Sequence, residues 1–241
     1  MEIKLKFSQF SLILMLIAHK TQNSTNIEKF INPVNKTNEI KIILTAALID
    51  TQYEERKNEY LKVAKILDDY GYSNPYIIEA IKEKSETFLN GLSKNVFYSN
   101  VNNSTLRNKG VNEAKSIIEG FKHFDFKDDD MILKITGRYY FSSDAFIRLI
   151  EKNPEYDAFV KTDCYDQAFA GCFALRFHYF KDMLENLHYE KMEINMINIE
   201  KEIANYLKKI SSEKNAKIMY IEKLDIVANI FGKGENKLTY W

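Results

Sequence analysis

Apolar residues along this chain fall into short compact runs separated by longer amphipathic stretches, and that alternation predicts its elements. Ile40 to Leu48 is an apolar run that suits a strand buried on both faces, as in a parallel sheet. Tyr53 to Tyr70 follows, with Tyr60, Leu61, Val63, Ala64, Ile66 and Leu67 at helical spacing and Gly71 to close the helix. Asn74-Pro75 punctuates the chain, and Tyr76 to Ala80 and Asn95 to Ser99 read as the second and third strands. Next come a helix over Asn112 to Phe121, a fourth strand over Met131 to Ile135, and a helix over Ser143 to Glu151 capped by Ser142 or Ser143. Tyr156 to Lys161 and Phe169 to Phe177 are the fifth and sixth strands, and Tyr179 to Leu187 and Ile197 to Ile210 are helices. Lys217 to Ile221 and Ile226 to Phe231 predict a terminal strand pair. The order implies an α/β domain: a mixed, mostly parallel sheet with helices on both faces and antiparallel strands added in the second half.

The first residues break this pattern. Met1 to Lys6 carries two lysines, Phe7 to Ala18 is largely apolar, and His19 to Glu39 is polar and rich in Asn and Thr. A positive start followed by a short apolar stretch has the shape of a secretory signal, although Ala18-His19-Lys20 is a poor cleavage site. The stretch is too short to span a bilayer comfortably. Two readings stay open: a signal peptide or membrane-associating segment, with membrane contact through residues 1–20, or a helix or non-native extension docked on the domain, with a cytoplasmic location. The boundary falls at an apolar segment and linker over 1–38 and a folded domain over 39–241.

Composition narrows the function classes. Aromatic residues make up 13% of the chain, which argues against disorder. Lys and Arg number 34 against 34 Asp and Glu, with no basic stripe, so nucleic acid is a poor partner. Cys164 and Cys172 lack CxxC spacing and the four histidines are scattered, so no zinc site is expected and the cysteines read as core residues.

In an open α/β sheet, ligands lie beyond the carboxyl ends of the strands. Two such segments concentrate cations. Arg107-Asn108-Lys109-Gly110 precedes a helix, whose unpaired N–H groups attract anions, and Gly110 would let backbone approach a ligand. Its plain alternative is a solvated loop with an Asn cap. Lys134-Ile135-Thr136-Gly137-Arg138-Tyr139 ends the fourth strand, where Lys134 and Arg138 could clamp a pyrophosphate. Its plain alternative is an edge lysine and a surface arginine. Asp128-Asp129-Asp130 precedes its strand and reads as a solvated turn. Asp163 and Asp166 follow the fifth strand and suit a sugar hydroxyl, a cation or a turn cap. A nucleotide-linked small molecule is the ligand class these placements suggest.

The succession of a strand, Arg107-Asn108-Lys109-Gly110-x-x-Glu113, a helix, another strand and Lys134-Ile135-Thr136-Gly137-Arg138-Tyr139 resembles small GT-A-type glycosyltransferases of surface polysaccharide synthesis. The likeness covers about Ile40 to Phe231. It implies a GT-A-like domain that binds a nucleoside-diphosphate sugar and a glycan or lipid-linked acceptor. Asn108, Lys109, Gly110 and Glu113 then match the segment approaching the nucleotide-sugar, with Glu79 near the nucleoside. Lys134, Gly137 and Arg138 stand where that family carries an Asp-x-Asp metal motif. The two cations could replace the metal, while a divalent cation, Mn²⁺ or Mg²⁺, stays an open alternative. Gln167 to Arg176 resembles the strand beside the acceptor site, with Asp166 and Arg176 on that side. Glu200, then Glu193 and Asp163, are the catalytic carboxylates the resemblance implies, with Glu200 as general base. A non-catalytic binding module of the same fold and a nucleotidyltransferase-like protein are the alternatives.

Overall fold

The computed structural model describes residues 39–82, 87–99, 101, 106–163, 166–232 and 235–240, giving only the backbone for residues 163, 228–232 and 235–240. The apolar segment and linker expected over 1–38 lie outside the described residues, as does Cys164. One compact unit runs from Asn38 to Trp241.

The first half is a parallel α/β layer. It contains β1 (Ile40–Ala46), α1 (Tyr53–Asp69), β2 (Tyr76–Glu79), the short α2 (Leu89–Leu92), β3 (Val96–Tyr98), α3 (Lys109–His123) and β4 (Met131–Thr136). After β5 (Tyr139–Phe141) and α4 (Ala145–Lys152) come β6 (Ala158–Asp163) and β7 (Gln167–Arg176). The chain ends with α5 (Phe177–Glu185), α6 (Tyr189–Asn195), α7 (Ile199–Glu213), β8 (Ile218–Tyr220), β9 (Ile226–Gly232) and β10 (Glu235–Tyr240). The main sheet has the order β3-β2-β1-β4-β7-β6-β8, and β10-β9-β5 form a second, smaller sheet. Strands β3, β2, β1 and β4 are parallel, β7 runs antiparallel to both β4 and β6, and β8 is parallel to β6. The main sheet is thus mixed and mostly parallel, with helices on both faces.

Strand alternation explains how both faces are filled. Ile42 and Leu44 pack with α1 and α4 through Val63, Leu67, Phe146 and Ile147. Ile43 and Ile132 pack on the other face with α3, α5 and α7 through Ile117, Phe121, Phe180 and Leu207. Lys134 lies two residues beyond Ile132 and so belongs to the α3 face, although it is charged.

Three expectations need correction. The terminal strand pair does not form: β8 joins the edge of the main sheet beside β6, while β9 pairs with β5 and β10. Asp225, in the left-handed region at φ 51°, turns the chain away between β8 and β9. Asp144 takes the N-cap position of α4 but makes no side-chain cap bond, and of the two serines expected there only Ser143 reaches the helix, its hydroxyl accepting the Ala145 N–H at 3.4 Å. Both serine hydroxyls also donate to Asp225, tying that corner to the helix. Helix α6 was not expected, because about two turns of mixed residues before Met196 (φ 51°) carry little periodicity.

Candidate functional site

A cleft of about 440 Å³ opens beyond the carboxyl ends of β1, β2 and β4. Its place follows from topology. From β1 the sheet grows to one side through β2 and β3 and to the other through β4, and a crevice forms where the order reverses. Thr45 to Ala47 and Ile49 from the end of β1, and Ile78, Ala80 and Ile81 from the end of β2, form one wall. Leu106, Lys109, Asn112, Glu113 and Ser116 come from the approach to α3 and its first turns. Thr136, Arg138 and Tyr139 follow β4, Ala170 and Gly171 come from β7, and Glu200 comes from the start of α7.

Behind one wall lies a buried charge pair. The Lys134 side chain is only 2% exposed, and its ammonium sits 2.8 Å from Glu113 Oε1. It also donates to Thr136 Oγ1 at 3.1 Å and to the Ala170 carbonyl at 2.7 Å. Three bonds use all three ammonium protons, so a buried lysine is tolerated on this strand. The Thr45 hydroxyl donates to the same Glu113 Oε1 at 2.7 Å. Burial pushes the Glu113 carboxyl up. The Lys134 charge, the bonds from Lys134 and Thr45, and the nearby Arg138 charge outweigh it and hold the carboxyl below the usual range. A carboxyl depressed in the folded state stabilises above the ordinary Glu value of about 4.3, and that contribution is lost as pH falls through its lower folded value. The stability gap between wild type and Glu113→Gln should therefore narrow as pH drops below about 4. Urea unfolding at a series of pH values checks this, and a gap that holds constant into acid would contradict it.

The cleft gathers four of the residues expected from sequence: Lys109, Glu113, Arg138 and Glu200. Lys134 stands immediately behind Glu113, engaged by its own partners, and is not a free diphosphate clamp. Gly137 and Gly110 are both points of close packing. A Cβ on Gly137 would come within 2.6 Å of the Tyr60 ring, and one on Gly110 within 2.9 Å of Ile199 Cβ. Tyr60 is buried and its hydroxyl accepts the Ala47 N–H at 2.9 Å, so its ring has no room to yield. Gly137→Ala should cost about 1–3 kcal/mol, as overpacking does. Chemical denaturation with an unchanged midpoint would refute this.

The other candidates are not among the described residues that line the cleft. Glu79 is fully buried and accepts the backbone N–H groups of Leu48, Ile81 and Lys82. Asn108 is the cap of α3: its oxygen accepts from Gly110 and Val111, while its amide donates to the Met192 and Ile197 carbonyls. Glu193 accepts the N–H groups of Arg107 and Asn108 at 2.6 and 3.0 Å, clasping α6 to the approach of α3, so both its oxygens are engaged by backbone. Arg176 lies at the opposite end of the sheet. It pairs in register with Met131, the first residue of β4, and donates to the Asp129, Pro154 and Tyr156 carbonyls. Asp166 is exposed in the turn before β7 and pairs with Lys208 at 3.1 Å. Asp163 ends β6, and its side chain lies outside the described residues.

Three contributors stand outside the individual candidates named from the sequence. Arg56 reaches the cleft from α1 and donates to the Ala47 carbonyl at 2.8 Å. Thr45 orients Glu113. Tyr139 lies over Gly171, where a Cβ would come within 2.3 Å of its ring, and stacks on Phe169 at 5.9 Å. The missing side chain at Gly171 was a signal for a close approach within a strand.

A divalent cation held against a diphosphate needs oxygen ligands converging on the cleft. The end of β4 instead supplies cations, and Glu113 Oε1 is already engaged by an ammonium and a hydroxyl. Among the described residues, no three His, Cys, Asp or Glu side chains gather to hold a metal ion. The described residues around the cleft do not fit a divalent-cation site.

No family model matches the chain, and no curated protein sequence matches it. Among solved structures it is similar to the galactosyltransferase LgtC in complex with donor and acceptor sugar analogues, at 11% identity and a TM-score of 0.44, over 69% of this chain and 70% of that one. It is also similar to an active-site mutant of LgtC, at 12% identity and a TM-score of 0.43, over 69% of each chain.

Proposed function

We propose that the cleft takes a nucleoside-diphosphate sugar, and that the protein is a glycosyltransferase of GT-A type that passes a hexose-type sugar to a glycan or lipid-linked acceptor. One observation carries this reading: Lys109 and Arg138 border the same switch-point cleft as the carboxylates Glu113 and Glu200. The cations suit the diphosphate, and the apolar side chains of Ile49, Ile81 and Leu106 suit a flat base.

In the reaction this implies, the bond from the anomeric carbon to the diphosphate oxygen breaks and a bond to the acceptor oxygen forms. Arg138 and Lys109 stabilise the charge gathering on the departing diphosphate, the task a metal performs elsewhere. Glu200 takes the acceptor hydroxyl proton, a general-base contribution on the order of 10²–10⁴ in rate. Asp163 is the alternative base, and Asp166 lies on the acceptor side.

A thermal-shift screen of the full chain against UDP, GDP, CDP, dTDP and their sugars, with and without Mn²⁺, tests the reading. A ligand that binds only the folded form raises its melting temperature, by about 2.7 kcal/mol of stabilisation at a hundredfold excess over Kd. Arg138→Ala should abolish the shift, and no shift from any nucleotide would count against the proposal. The cations in place of an acidic pair at the end of β4 favour a second reading, a binding module without turnover. That reading expects nucleotide binding with no transfer or hydrolysis, and no effect of Glu200→Gln on either.

A further inference from the structure

The two oxygens of Glu113 are not equivalent. Oε1 receives both Lys134 and Thr45, whereas Oε2 accepts no hydrogen bond among the described residues. The side chain is 29% exposed and lines the cleft. A buried ion pair is weak evidence of stabilisation, because desolvation offsets much of its Coulomb energy. This pair instead fixes a carboxylate in one orientation and leaves one lone-pair face open.

The surroundings restrict what that face can meet. An ionised carboxylate only accepts hydrogen bonds, so its complement is a donor. A phosphate oxygen would be repelled, and Arg138 and Lys109 on the same cleft offer that group a better place. Lys134 balances the Glu113 charge, so the carboxylate can stand beside an anion site without cancelling its field. The ligand must therefore carry an anionic group and, within a few ångströms, a hydroxyl.

We propose that Glu113 is a specificity-determining residue whose Oε2 accepts a hydrogen bond from a sugar hydroxyl of the phosphorylated ligand. It rests on the nucleotide-sugar reading and adds a selection: the cleft prefers a hydroxylated sugar phosphate to a bare polyphosphate. The hydroxyl belongs either to the ribose or to the transferred sugar.

Isothermal titration of the full chain with pyrophosphate, UDP, UDP-glucose, GDP and GDP-mannose separates these cases. In Glu113→Gln, pyrophosphate affinity stays equal or rises, because a negative charge is lost. Affinity for the hydroxylated ligand falls roughly ten- to hundredfold, the range for a hydrogen bond to a charged group. A fall already present with UDP or GDP assigns the ribose, and one confined to the sugar conjugates assigns the transferred sugar. Because Gln leaves Lys134 buried without its charge partner, the paired variant Lys134→Met/Glu113→Gln repeats the test without that strain, and it should lose the same discrimination. Equal losses for pyrophosphate and sugar ligands, or no loss for either, would overturn the assignment while leaving nucleotide binding intact. Wild type that binds none of the five, nor CDP, dTDP or their sugars, would overturn the nucleotide-sugar reading, and this assignment with it.

Discussion

Lys134→Met should destabilise the protein by about 3–5 kcal/mol, the usual cost of removing one partner from a buried ion pair. The side chain is 2% exposed and holds Glu113, Thr136 and the Ala170 carbonyl together. Methionine fills a similar volume, so the loss is electrostatic: Glu113 keeps its charge beside an apolar neighbour, and the Ala170 carbonyl loses its donor. In a domain of this size, the melting temperature should drop by about 10 °C. Neutralising the partner as well, in Lys134→Met/Glu113→Gln, should restore much of the stability, because an uncharged buried site has little left to compensate. Equilibrium urea unfolding of the two variants decides it. A single substitution costing under about 1 kcal/mol would mean that the pair is not desolvated as the geometry requires.

Glu79→Ala is the second large effect expected. The carboxylate ends β2 and accepts from Leu48 through both oxygens, at 3.1 and 3.2 Å, and from Ile81 and Lys82 at 2.7 and 3.1 Å. It thereby latches the segment after β1 to the segment after β2, the two that make one wall of the cleft. Each buried amide left without an acceptor costs about 1–3 kcal/mol, and partial access of water to Ile81 and Lys82 brings the expected total to about 3 kcal/mol. Glu79→Gln keeps one accepting oxygen and should cost less. Burial pushes the Glu79 carboxyl up, despite the three backbone N–H groups and the Arg56 charge that oppose it. A group raised in the folded state stabilises at low pH and loses that contribution as pH rises through its folded value. The gap between wild type and Glu79→Gln should therefore shrink above the ordinary carboxylate range, opposite to the direction expected for Glu113. Parallel pH profiles for the two glutamine variants would contradict both assignments.

The parallel half of the fold was legible because punctuation and pattern agree there. Gly71 and Asn74-Pro75 stop one element before the next begins, and the apolar runs at β1 and β4 are continuous. The position of the cleft was legible for the same reason, since strand ends in a parallel sheet all point one way. Arg176 was placed on the acceptor side by the resemblance alone, and the strand direction separates it from the cleft. Strand β7 runs antiparallel, so its carboxyl end lies at the amino end of β4, far from the cleft. Lys134 stands within an apolar strand in the sequence, but Glu113 is brought to it only by packing α3 across the sheet. The resemblance put Glu193 beside Glu200, and its bonds to the Arg107 and Asn108 N–H groups were not legible because α6, the helix that carries it, was too short to recognise. Tyr139 was passed over because a three-residue strand gives no periodicity, and its contact with Gly171 joins β5 to β7.

Crystals of the full chain grown with whichever of UDP, GDP, CDP or dTDP binds most tightly would reveal where a nucleotide sits. The diphosphate should lie within hydrogen-bond reach of Arg138 and Lys109, with the base against Ile49, Ile81 and Leu106. Density for the nucleotide at the groove between Lys41, Tyr72 and Arg148, at the other end of the sheet, with the β1–β4 cleft left to solvent, would contradict the account.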